Sequence, residues 1–80
     1  MNVEQVDLAE LTGVLERAFE GQAVEGAVVG RTRLRDGVAS HLGCSSLEAE
    51  QLVDTLVSRG FVRLERTSEG AELWRFSSAH

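Results

Sequence analysis

Proline, tyrosine and lysine are absent from these 80 residues, and cysteine, methionine and tryptophan occur once each. Without lysine, every fixed side-chain cation is one of eight arginines, and a guanidinium grips phosphate or carboxylate in two-pronged fashion. The lone Cys44 cannot close an internal disulfide, which excludes the stapled frameworks of small secreted folds and fits a reducing compartment. The longest apolar run, Ala27-Val28-Val29, falls far short of the roughly 20 residues that span a bilayer. No membrane span is therefore expected. Ahead of Arg17 stand Glu4 and Asp7 and no basic residue, the opposite of a secretory signal or transit peptide. The expected location is the cytoplasm. With no disulfide, stability must come from packing, helped by a partner if one is bound.

What is present reads as a single globular domain over residues 1–80: 42% of the chain is hydrophobic and 26% charged, too apolar for intrinsic disorder. The net charge of −5 is unevenly placed. Residues 1–30 hold six acids against Arg17 alone, whereas residues 31–80 hold seven acids and seven arginines. The whole net charge thus sits in the N-terminal arm, and the chain as a whole does not attract nucleic acid electrostatically.

Leu8, Leu11, Leu15, Ala18 and Phe19 recur at spacings of three and four, which predicts a helix from about Leu8 to Glu20 with one apolar stripe. Asp7 and Glu10 read as its N-cap and return partner, and Gly21 as its stop. A loop and a short strand at Ala27–Val29 are expected next, between Gly21, Gly26 and Gly30. A second helix is expected from near Thr32, burying Leu34, Val38 and Leu42, with Gly43 ending it. Ser45 and Glu48 form the S-x-x-E pattern of a capping box. The helix they open buries Ala49, Leu52, Val53, Leu56 and Val57 and stops at Gly60. Strands over 61–66 and 71–76, joined by the polar turn Thr67-Ser68-Glu69-Gly70, predict a closing hairpin. Alternation places Val62 with Leu64, and Trp74 with Phe76, on one face each.

Catalytic and metal chemistry find little support. His41 and Cys44 are three apart, but Gly43 interrupts the helix between them and no further soft ligand completes a site. A cysteine nucleophile lacks an oriented base, the other histidine being His80. The stretch from Gly26 to Thr32 has glycines one residue too close for a phosphate loop, with arginine where lysine belongs. Glu16 and Glu20 read as a solvated helix face, and Trp74 and Phe76 as core rather than a base-stacking platform. A non-catalytic protein without cofactor is the expectation.

Two helices separated by about three residues and followed by a hairpin resemble the winged helix-turn-helix domain. The likeness is carried by Leu34-Arg35-Asp36-Gly37-Val38-Ala39-Ser40-His41-Leu42-Gly43, by the capped helix to Leu56, and by Ser58-Arg59-Gly60-Phe61-Val62. It spans roughly residues 8–76 and is similar to small bacterial regulators of the multiple-antibiotic-resistance and arsenic-repressor type. The resemblance implies a mostly α fold of three helices plus a wing, with the helix over 45–59 as the DNA-reading element, working as a dimer on duplex DNA. It would place Ser45, Ser46, Gln51 and Thr55 against bases or phosphates, and Arg31, Arg33, Arg35 and Arg66 on the backbone. The helical wheel puts Glu48, Gln51, Thr55 and Ser58 opposite the buried stripe, flanked by Glu50 and Asp54. Those acids, with Glu69 at a wing tip where the family commonly carries basic residues, suit a different function. The alternative is an acidic winged-helix module that docks on a basic protein through Glu48, Glu50, Asp54 and Glu69 and does not bind DNA.

Overall fold

A computed structural model describes residues 5–77; Glu4 and His80 lie outside them. Three helices, α1 (Leu8–Ala18), α2 (Ala27–Leu42) and α3 (Ser46–Ser58), precede an antiparallel hairpin of β1 (Val62–Arg66) and β2 (Glu72–Phe76). This α+β order, three helices and then a two-stranded wing, is a winged-helix-like arrangement. Helix α1 starts where the sequence places its cap, with Asp7 Oδ1 accepting from the Glu10 amide at 3.1 Å. The Glu10 carboxylate makes no return bond among the described residues and stays in solvent.

The second helix departs from expectation. It begins at Ala27, five residues before Thr32, and absorbs the stretch read as a strand. Val28 and Val29 are β-branched and lie between glycines, which favours a strand locally, yet both side chains project into solvent. The context that decides the matter is Gly30, buried where α2 passes Trp74. Thr32 is no cap; its hydroxyl bonds back to the Val28 carbonyl at 3.1 Å within the helix. Strand-like pairing occurs three residues earlier. Glu25 bridges Leu73, with Gly26 N donating to Glu72 O and Trp74 N to Val24 O, both at 2.9 Å. The hairpin therefore gains a short third rail from the α1–α2 connection.

Leu11 and Leu15 of α1, Leu34 and Val38 of α2, and Ala49, Leu52, Val53 and Leu56 of α3 converge in one core closed by Val24, Val62 and Trp74. Each fully buried leucine of this set contributes about 1.5–3 kcal/mol relative to exposure. Two stripe assignments need correction. Ala18 is exposed and Thr12 is buried in the α1 stripe, its hydroxyl satisfied by Leu8 O at 2.7 Å. Val57 is 38% exposed, because α3 presents four rather than five positions to the core. Phe19 and Phe76 stack at 6.3 Å with planes 8° apart, fastening the end of α1 to the wing.

Candidate functional site

The turn between α2 and α3 forms as its sequence demands. Gly43 adopts the left-handed conformation at φ 64°, and its amide donates to Ala39 O at 2.8 Å. The chain can then reverse within two residues because glycine carries no Cβ to clash there. Ser45 closes a complete capping box: the Glu48 amide donates to Ser45 Oγ, and the Ser45 amide to Glu48 Oε1, both at 3.1 Å. The Ser45 backbone amide, followed by its hydroxyl, holds the Glu48 carboxyl below the usual carboxylate range. This box fixes where α3 begins and which of its faces looks outward.

That outward face is rotated from the one the wheel suggested. It consists of Leu47, Gln51, Asp54 and Ser58, all exposed, with Leu47 at 70%. Glu48, Glu50 and Thr55 are half-buried on its flanks. The Thr55 hydroxyl donates to Gln51 O at 2.9 Å and that of Ser58 to Thr55 O at 3.1 Å, so both serve their own helix. Leu47 was missed, although the signal existed: it lies opposite the stripe of Ala49, Leu52, Val53 and Leu56, and an off-phase leucine directly after a cap must point outward.

The three arginines early in α2 do not converge. Arg31 reaches across to α3, its Nε 3.4 Å from Glu50 Oε1 and its Nη2 on Asp54. Arg33 turns the opposite way. Its guanidinium donates to Gln22 Oε1 at 2.8 Å and Ala23 O at 3.3 Å and lies 5.2 Å from the Phe19 ring centre. Arg35 pairs with its neighbour Asp36 at 3.1 Å. On a helix, positions 31 and 33 are about 200° apart, so one groove could not receive both. On the wing, Arg66 pairs with Glu72 at 3.6 Å, and Glu65 accepts from both Arg63 and Arg75 at 3.2 Å. Of these, Arg66–Glu72 and Arg75–Glu65 cross the hairpin, while Arg63–Glu65 lies within β1. Glu69 sits on the hairpin turn rather than on α3, so the four proposed docking acids do not form one patch by sequence position alone. Ser45 and Ser46 are exposed at the start of α3, with Ser45 engaged in its cap.

Cys44 is half-buried and packs against the core, and His41 is exposed. Among the described residues no three His, Cys, Asp or Glu side chains gather as metal ligands, and no helix is long and apolar enough to cross a membrane. A concavity of about 320 Å³ lies between the end of α1 and β2, with Glu16, Phe19, Glu20 and Phe76 in its wall. No protein-family model, characterised protein or solved structure matches the chain.

Proposed function

We propose that the protein is a non-catalytic winged-helix module that docks on a basic protein partner through the exposed face of α3. The observation that supports this reading is the pairing of Arg31 with both Glu50 and Asp54. It spends the best-placed cation of α2 on Asp54, within the face that would enter a major groove, and on Glu50 at its flank. The remaining charge beside Leu47 and Gln51 is negative, which repels a phosphate array and attracts lysine or arginine. Leu47 supplies the apolar contact that a protein interface needs at its centre and a DNA backbone does not reward.

The second reading, a DNA-binding regulator, keeps one favourable observation: Gln51 is exposed at the middle of α3, where it could meet adenine with two hydrogen bonds. Isotope-labelled protein titrated at low salt with a basic amphipathic peptide of alternating leucine and arginine turns, and separately with mixed-sequence duplex DNA, separates the two. Docking requires peptide-induced shifts centred on Leu47, Gln51 and Asp54, abolished by Leu47→Asp and by Glu50→Lys with Asp54→Lys. Duplex binding that weakens with salt by several phosphate equivalents, with no response to the peptide, would replace docking by DNA reading.

A further inference from the structure

The outer edge of the wing carries a pattern unrelated to the α3 face. In an antiparallel strand the N–H and C=O of one residue point to the same side, and the side alternates with each residue. Ser77 N donates to Phe61 O and Thr67 N to Ala71 O, both at 2.8 Å, so odd-numbered residues of this stretch turn toward β2. Val62, Leu64 and Arg66 therefore direct their N–H and C=O groups away from it. Among the described residues, β1 pairs with β2 alone, so this row of backbone groups has no strand beside it. Neither a proline nor a bulge guards the edge, two of the devices that keep such edges from pairing.

We infer that this edge pairs with the same edge of a second copy of the chain, antiparallel about a two-fold axis at Leu64, joining the two hairpins into one four-stranded sheet. In that register the inner positions Arg63-Leu64-Glu65 are complementary to their own reverse, while Val62, buried in its own core, falls opposite Arg66. Arg63 of each copy falls directly opposite Glu65 of the other, and Leu64, 37% exposed, meets Leu64. Opposite charges placed directly across strands attract and like charges repel. Within one copy Arg63 faces Arg75 across the hairpin, and the single Glu65 carboxylate is shared between them. The second copy brings a further carboxylate to Arg63. Centring the axis on Arg66 would set Arg66 against itself. Centring it on Arg63 or Glu65 is permitted by the backbone but would set that side chain opposite its own copy in a non-hydrogen-bonded pair, like charge against like.

Five residues of edge bury little surface, so the dimer is weak and reversible. Sedimentation equilibrium of the full chain from micromolar to millimolar concentration should show a move from monomer toward dimer mass. Over the same range amide exchange should slow at Leu64 and Arg66. Leu64→Pro removes an outward N–H while leaving the ladder to β2 intact, and should keep the chain monomeric. Arg63→Glu should weaken association about tenfold or more, with Arg63→Glu plus Glu65→Arg restoring it. If Leu64→Pro does not fold, the charge reversal and its rescue decide the question. A chain that stays monomeric at millimolar concentration, a dimer indifferent to Arg63→Glu, or protection that appears without a change of mass would overturn the inference. None of these variants touches α3, so failure here leaves the docking reading standing and the reverse is equally true.

Discussion

At Gly30 a single missing methyl group decides how the sheet meets the helices. A Cβ there would stand 2.5 Å from Cδ1 and Nε1 of Trp74 and 2.9 Å from the Glu25 carbonyl oxygen. The carbonyl is backbone beside the bridge to Leu73 and cannot step aside without breaking the third rail. The indole is held by its own bond, Nε1 to Gly26 O at 2.8 Å. Gly30→Ala should therefore cost about 1–3 kcal/mol, the usual penalty for overpacking a filled site. Thermal unfolding would register it as a lower Tm, and tryptophan emission would shift red as the indole is pushed toward solvent. Unchanged emission with an unchanged Tm would mean that α2 and the wing do not approach as closely as described.

At the scale of elements, α3 is placed by its cap more than by its turn. The capping box is strongest when Glu48 is ionised, because its carboxylate accepts the Ser45 amide more strongly than a neutral carboxyl does. Its folded-state pKa is lowered, so the stabilisation is fully present above the ordinary carboxylate range and is lost as pH falls through the depressed value. Amide exchange at the first turn of α3 should accelerate in acid. Glu48→Gln, which still offers a carbonyl oxygen, should flatten that response. Ser45→Ala should cost about 1 kcal/mol at neutral pH. The Arg31 pairs link α2 to α3, but the groups are substantially exposed, with side-chain accessibilities of 30% for Arg31 and 70% for Asp54. Such pairs are worth at most about 1 kcal/mol, so their consequence is the charge they leave on the α3 face rather than the stability of the fold.

For the molecule as a whole, the α1–α2 connection is the joint. Val24, Glu25 and Gly26 rail against β2, Phe19 stacks on Phe76, and Arg33 reaches back from α2 to hold Gln22 and Ala23. Arg33 thus ties the helices and the wing together at a place remote from the α3 face. Arg33→Ala should lower stability by about 1 kcal/mol through the lost guanidinium bonds and ring contact. Binding at α3, followed by the peptide titration, should be unchanged. A loss of partner affinity without a loss of stability would show that Arg33 belongs to an interface.

Periodicity, the capping box and the hairpin pattern sufficed to place α1, the end of α2, all of α3 and both strands, because each rests on interactions within a few residues of chain. The S-x-x-E pattern is a local hydrogen-bond circuit, and Gly43 a local steric necessity. Two matters needed the folded molecule. Ala27–Val29 became helix because Gly30 admits an indole from 44 residues further along the chain. Arg33 parted from Arg31 and Arg35 because residues two apart on a helix point nearly opposite ways, while Arg31 and Arg35, one turn apart on the same side, meet different acids, those of α3 and the adjacent Asp36. Leu47, exposed in the first turn of α3, was by contrast legible from its phase opposite the buried stripe. Short-range chemistry was written in the order of the residues, while the partners of the α2 arginines and the helical state of Ala27–Val29 depended on segments brought together only by folding.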